Sequence, residues 1–185
     1  MTKQIRFTIL AIFIWTLSIP NLALSKDGKH NLQILVKVQA ISDTTELDID
    51  FDALDLQGNP FKGSILKGKI VFLDFWAVWC APCITAFPTL KKMNTDFKDK
   101  GIEVVGIAVY SGTVEDINKF VEKHKLDYKI IIGDAELAER FKVIGVPSYF
   151  LLGPDGSIYK NYIGEVAEFY NELKTDISFL IKRLD

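Results

Sequence analysis

Residues 74–83 read Asp-Phe-Trp-Ala-Val-Trp-Cys-Ala-Pro-Cys, and the fold of the chain is organised around this stretch. It contains both cysteines of the protein, Cys80 and Cys83. Residues 71–76 form an apolar, aromatic run typical of a buried strand, whereas residues 84–93 have apolar side chains at helical spacing. A CxxC placed between a strand and a helix indicates redox chemistry rather than metal binding.

The start of the predicted helix favours a thiolate. Unpaired backbone N–H groups and the positive end of the helix dipole lower the pKa of a thiol there below its free value of about 8.5. We therefore predict that Cys80 is the nucleophile and that Cys83, one turn later and more buried, is the resolving cysteine. Pro82 fits the first turn, where no backbone donor is needed. Asp74 lies in an apolar strand, so we expect its pKa to be raised and its carboxyl to relay the proton of Cys83.

Residues 74–83 resemble the active-site segment of the thioredoxin superfamily. Residues 145–150, Gly-Val-Pro-Ser-Tyr-Phe, resemble the cis-proline loop of that family, which packs against the CxxC and binds an extended substrate segment through its backbone. The resemblance implies a cis peptide bond before Pro147. It also implies that Val146 offers main-chain hydrogen bonds to the substrate.

The side chains around the cysteines are assigned to two environments. Trp79 adjoins the predicted nucleophile, and we expect it to belong to an exposed rim that meets substrates. Ala81 and Pro82, between the cysteines, are assigned to the same substrate-binding surface. Trp76 is expected to pack in the core.

The chain also resembles the TlpA/ResA/DsbE branch of this superfamily, which is related to AhpC/TSA proteins. The pattern D-x-x-G followed by L-x-G-K precedes the CxxC, and it is matched by Asp55, Gly58, Leu66, Gly68 and Lys69. Two positions depart from the branch, because Asp74 stands where an amide or apolar residue is common and Ala81 where a glutamate is frequent. Lys69 is a candidate partner for Asp74 across the core.

The predicted order of elements is a β-hairpin, then β-α-β-α-β-α, a second β-hairpin and a last helix. Thr113 and Asp134 are predicted to cap two of the helices, and residues 48–56 are predicted as the first hairpin strand. We predict an α/β, thioredoxin-like fold with a central mixed β-sheet flanked by helices. It has an N-terminal β-hairpin and an extra strand–helix insertion between the CxxC helix and the cis-proline loop.

The chain divides into three parts. Residues 1–25 have a positive start, an uncharged apolar run and a small-x-small pattern, which indicates a signal peptide or, alternatively, an uncleaved N-terminal anchor. Residues 26–46 form an extension with a strand-like stretch at 32–41, and residues 47–185 form the thioredoxin-like domain. We therefore expect an exported protein, in the bacterial periplasm or at the outer face of the cytoplasmic membrane.

Bulk composition restricts the classes of function. The chain has 185 residues, of which 49% are hydrophobic, and a formal net charge of −2. This is one domain with an ample core, and it has no basic excess for nucleic acid. We expect a monomer without a cofactor or bound metal.

Three other interpretations of the cysteines fit less well. A static disulfide across a two-residue loop stabilises a fold very little. A metal site would need His30 or His124, and both are predicted to be solvated surface residues. A peroxiredoxin would have a threonine three residues before its reactive cysteine, where this chain has Ala77.

The sequence predicts an exported thiol–disulfide oxidoreductase, and the resemblance favours a protein-disulfide reductase. A DsbA-like oxidant would have a histidine between its cysteines that strongly stabilises the thiolate, and this chain has no histidine there. The resemblance implies a disulfide-containing protein substrate, for example apocytochrome c, and recharging by a membrane electron donor of the DsbD/CcdA type. A disulfide-forming oxidase or isomerase and a non-catalytic binding module with this fold remain alternatives.

Overall fold

The computed structural model describes residues 49–183. The predicted signal segment 1–25 and the extension 26–46, with its expected strand at 32–41, lie outside the described residues.

A single mixed β-sheet forms the centre of the described domain. Its strands, in chain order, are β1 (Asp52–Asp55), β2 (Pro60–Lys62), β3 (Ile70–Trp76), β4 (Ile102–Ala108), β5 (Lys129–Ile132), β6 (Ser148–Leu152) and β7 (Ile158–Ile163). Their spatial order is β2-β1-β5-β4-β3-β6-β7. Strands β3, β4 and β5 are parallel, and the other neighbours pair antiparallel.

Helices cover both faces of this sheet. They are α1 (Ala81–Phe97), α2 (Val114–His124), α3 (Ala135–Arg140) and α4 (Val166–Ile181), with 3₁₀ turns at Gly63–Leu66 and Lys98–Lys100. Every residue of β3 is buried, since alternate side chains enter two separate apolar clusters. The cluster containing Phe72 and Trp76 includes the buried faces of α1 and α4, whereas the cluster containing Phe75 includes α3.

The predicted fold class and order of elements are confirmed. Two strand–helix units, β4–α2 and β5–α3, separate α1 from the loop before β6, which provides the predicted insertion. Thr113 and Asp116 form the capping box of α2, and the Asp134 side chain accepts the N–H of Leu137 at the start of α3. None of the described helices combines the length and apolar character needed to span a membrane.

The first strand is shorter than the predicted 48–56. Strand β1 covers only Asp52–Asp55, because the backbone just before it forms other bonds. Phe51 donates its N–H to the carbonyl of Ile49 at 3.0 Å, within its own segment, whereas its carbonyl accepts the N–H of Gly63 at 2.7 Å and continues the register with β2. The side chains of Ile49 and Phe51 are buried in the apolar core.

Candidate active site

The two cysteines lie at the start of α1, joined by a disulfide bond. Cys80 is the N-cap residue, and its sulfur accepts the N–H of Cys83 at 3.2 Å. The Sγ–Sγ distance is 2.07 Å, and the two residues are 3% and 1% exposed. Pro82 lies in the first turn, as predicted. The backbone donors of this turn therefore face the sulfur of Cys80, where they would stabilise a thiolate.

The loop before β6 lies beside the cysteines. Strand β6 pairs antiparallel with β3, and Ser148 is opposite Phe75 near the end of β3 that leads to the CxxC. The peptide bond between Val146 and Pro147 is cis, as predicted. Val146 packs against the apolar cluster that contains both cysteines. Within residues 49–183, the backbone N–H and C=O of Val146 form no hydrogen bond, so both are available to an extended segment.

The surface around the cysteines has an aromatic rim. The side chain of Trp79 is 65% exposed, and Ala81 and Pro82 are exposed beside it. The indole Nε1–H of Trp79 donates a hydrogen bond of 2.9 Å to the carbonyl of Tyr110. Trp76 is fully buried, so the predicted division between a core tryptophan and a surface tryptophan is confirmed.

Asp74 is buried on the face of β3 that α1 covers. It lies between Phe72 and Trp76 in the strand, and neither carboxyl oxygen has a hydrogen-bond partner among the described residues. Burial raises the pKa of Asp74 from 3.8 to about 8, because the low-dielectric core disfavours the charged form. At neutral pH the carboxyl is mostly protonated, and its ionised fraction can accept a proton from a neighbouring thiol.

The proposed contact between Lys69 and Asp74 is wrong. Lys69 forms an ion pair with Glu103 instead. Side chains an odd number of positions apart along a strand point to opposite faces of the sheet. The Lys69 side chain therefore cannot reach the buried face on which Asp74 lies.

Comparison with known proteins places this site in a family. The AhpC/TSA family model matches residues 46–161, which include both cysteines and the cis-proline loop. The chain belongs to the AhpC/TSA family.

Individual relatives of this AhpC/TSA-family chain are thiol–disulfide proteins. Over 115 residues it is 30% identical to the thiol-disulfide oxidoreductase ResA of Bacillus subtilis, covering 62% of this chain and 64% of ResA. The match therefore spans slightly less than two thirds of that relative. The similarity to ResA and to DsbE structures agrees with the resemblance to the TlpA/ResA/DsbE branch.

Solved structures extend the comparison to the fold. A protein assigned as the thiol:disulfide interchange protein DsbE of Chlorobium tepidum superposes with a TM-score of 0.66 at 27% identity, covering 71% of this chain and 93% of that one. A secreted Mycobacterium tuberculosis disulfide oxidoreductase, homologous to E. coli DsbE, superposes with a TM-score of 0.60 at 25% identity, covering 74% and 99%.

Sequence reasoning missed the segment after β4. In this AhpC/TSA-family chain, the Ser111 hydroxyl accepts the N–H of Val78 at 3.1 Å and donates to the carbonyl of Val109 at 2.9 Å. Tyr110 has a positive φ of 51°, and its backbone carbonyl accepts the indole N–H of Trp79. Parallel neighbouring strands end at the same edge of a sheet, and β3 and β4 are such neighbours. The strand–helix–strand order of β3, α1 and β4 is the signal that could have located this contact.

The histidine prediction needs one correction. His124 is half-buried rather than solvated, with its ring 4.3 Å from that of Phe120 and 5.8 Å from that of Phe87. Burial and the neighbouring lysines lower its pKa. His30 lies outside the described residues. Between residues 49 and 183, no group of three or more His, Cys, Asp or Glu side chains is arranged to hold a metal ion.

Proposed function

We propose that this protein is an exported thiol–disulfide oxidoreductase that reduces protein disulfides through Cys80 and Cys83. The observation that carries the proposal is the bonded cysteine pair at the start of α1, next to a cis-proline loop with an unpaired backbone. The similarity to ResA and to DsbE proteins supports the same chemistry.

The first step uses the Cys80 thiolate. It attacks one sulfur of the substrate disulfide, so that a Cys80–substrate disulfide forms and the substrate S–S bond breaks. The other substrate sulfur leaves as a thiolate and takes up a proton from solvent. The unpaired N–H and C=O of Val146 hold the extended substrate chain, and Trp79, Ala81 and Pro82 form the surface that it covers.

The second step uses Cys83 and Asp74. The Cys83 thiol gives its proton to the ionised Asp74, and the resulting thiolate attacks the sulfur of Cys80. The Cys80–Cys83 bond forms, the mixed disulfide breaks, and the second substrate sulfur leaves reduced. Two electrons have then passed from the dithiol to the substrate, and an external donor must return two electrons to the disulfide.

Two features support the direction and the location. Ala81 and Pro82 between the cysteines supply no cationic group that would hold Cys80 as an unusually stable thiolate. The signal-like residues 1–25 support export to the periplasm or the outer membrane face, where misplaced disulfides form readily. The donor is then a membrane protein of the DsbD/CcdA type, and apocytochrome c is a candidate substrate of the monomeric protein.

Trapping experiments test the roles of the two cysteines. The reduced protein is mixed with a small disulfide-bonded protein such as insulin, and reduction is followed. Cys83→Ser should accumulate a mixed disulfide through Cys80, whereas the matched Cys80→Ser variant should form none. Full activity of Cys80→Ser in cells would instead indicate a binding module. Faster oxidation of a reduced protein than reduction of an oxidised one would indicate an oxidase.

A further inference from the structure

Four polar side chains converge without partners inside the core beneath the cysteines. Among residues 49–183, no hydrogen-bond partner exists for either oxygen of Asp74, the indole nitrogen of Trp76, or the hydroxyls of Tyr128 and Tyr149. All four residues are at least nine-tenths buried. Because a buried polar group left without a hydrogen bond destabilises a fold, four such groups in one place demand a physical explanation.

Strand register places these groups together. Asp74 in β3 is directly opposite Tyr149 in β6, so their side chains are neighbours on one face of the sheet. On its other side Asp74 is opposite Gly106 in β4. Tyr128 and Trp76 converge over that glycine, since a Cβ there would lie 2.9 Å from Trp76 Nε1 and 3.1 Å from Tyr128 Cε2. Asp74 therefore lies between two phenols, with the indole N–H beside it.

We propose that Tyr128 and Tyr149 are positioning residues that hydrogen-bond the Asp74 carboxylate through enclosed water, and so keep Asp74 able to accept the proton of Cys83. The role in proton transfer from Cys83 rests on the proposed function, whereas the hydrogen bonds to Asp74 can be tested without it. An enclosed water needs two to four polar partners, and this cluster offers two phenols, an indole donor and a carboxyl. Gly106 provides the space over the sheet, because any side chain there would collide with both rings.

Hydrogen-bond donors around Asp74 affect its pKa. Hydrogen bonds stabilise the ionised form of an acid, whereas desolvation favours the neutral form. Burial raises the pKa of both Tyr128 and Tyr149, and the nearby Asp74 charge raises both further, so Asp74 and the two phenols interact electrostatically. The phenols remain protonated, so they can act as donors throughout the working pH range of the cysteines.

Other ionisable groups face the cluster from the surrounding elements. They are Cys80 and Cys83 at the start of α1, His124 on α2, Tyr162 on β7, Asp127 beside Tyr128, and Glu165 at the start of α4. Asp127 and Glu165 are exposed and act on the phenols over a distance. Replacing a tyrosine by phenylalanine leaves all of these groups in place, so a change in Asp74 titration reports the missing hydroxyl.

The test follows the titration of Asp74 by carboxyl ¹³C NMR in the full chain. Tyr128→Phe and Tyr149→Phe should each raise the pKa of Asp74 by about 1, the effect of losing a hydrogen-bond donor to a carboxylate. Tyr162→Phe is the matched control, since its buried hydroxyl is already bonded to Asp176 at 2.7 Å, and it should leave the titration unchanged. An unchanged pKa in either test variant, or an equal shift in the control, overturns the proposal.

A second measurement needs no substitution and therefore does not depend on the folding of a variant. A high-resolution crystal structure of the native protein should show water within about 3.2 Å of Asp74 and of both phenol hydroxyls. A dry cluster in which these groups remain unbonded overturns the proposal. Both measurements are properties of the folded chain, so a failure to reduce protein disulfides would refute the proposed function and leave this result standing.

Discussion

The indole N–H of Trp79 donates a hydrogen bond to the backbone carbonyl of Tyr110, which joins the residue before the nucleophile to the segment after β4. Both aromatic rings are largely exposed around this bond, at 65% and 55%. The exposed apolar surface next to Cys80 is thus held in position by the neighbouring strand. Such fixed, exposed aromatic rings are typical of surfaces that bind a partner.

Trp79→Ala should therefore weaken substrate use without unfolding the protein. We expect kcat/KM for a protein disulfide to fall by about tenfold, equivalent to about 1.4 kcal/mol of lost contact. Thermal stability should change little, because the ring is exposed. Ile65→Ala is the control, since Ile65 is an exposed apolar residue before the start of β3, at the end away from the cysteines. Equal losses of kcat/KM in the two variants would argue against a substrate rim at Trp79.

Ser111→Ala should destabilise the protein through the cysteine loop. The buried hydroxyl of Ser111 is the partner of the Val78 N–H, and its removal leaves that donor unpaired. We expect a loss of about 1–2 kcal/mol in the free energy of unfolding by urea. Ser178→Ala removes an exposed hydroxyl that donates to the carbonyl of Lys174 within α4, and it should cost less than about 0.5 kcal/mol. If the two variants lose the same stability, the Ser111 contact is not a structural link.

Asp74→Asn should stabilise the oxidised protein in a pH-dependent way. Asp74 has a pKa of about 8 when folded and an ordinary value of 3.8, so between these values the folded state retains a proton that the unfolded state has lost. Raising the pH through this window therefore favours unfolding of the native protein. At pH 7 the variant should be more stable by up to about 4 kcal/mol.

The same comparison at low pH is the control for Asp74→Asn. Well below pH 3.8 the carboxyl is neutral in both states, so the native protein and the variant should have similar free energies of unfolding. Urea titrations at several pH values measure the difference. A gain in stability that is independent of pH would contradict a buried carboxyl whose pKa is raised in the folded state.

Gly106→Ala should disrupt the centre of the sheet. A Cβ at this position would lie 2.6 Å from Ile130 Cδ1 and 2.9 Å from Trp76 Nε1, so the buried neighbours would have to move. We expect a loss of about 1–3 kcal/mol, typical of overpacking a core. At Gly145 an added Cβ would meet no neighbouring atom within 4 Å, so Gly145→Ala should be neutral or slightly stabilising. Equal tolerance of both substitutions would show that the space over Gly106 is not required.

Local patterns in the sequence predict much of this structure. The run at β3, the capping residues Thr113 and Asp134, and the resemblance of the Val146–Pro147 segment to a known loop led to elements that the structure confirms. The burial of Asp74 followed from its place in an apolar strand. Each of these features depends on residues close together in the sequence.

Contacts between distant segments were predicted less well. Ser111 and Val78 meet only because two parallel strands end side by side. The approach of Tyr128 to Asp74 depends on a missing side chain at Gly106, in the strand between them. Neither residue type indicates such a role by itself, so three-dimensional register was needed to find them.

The central claim, that the Cys80–Cys83 pair works as a reductant, is tested most directly by its equilibrium reduction potential. The purified protein is equilibrated with redox buffers of known potential, and the dithiol fraction is measured by alkylation. We predict a value near or below about −250 mV, in the range of thioredoxin, which requires a strongly reducing donor. A value near about −120 mV, in the range of DsbA, would contradict this account and indicate a disulfide-forming oxidase.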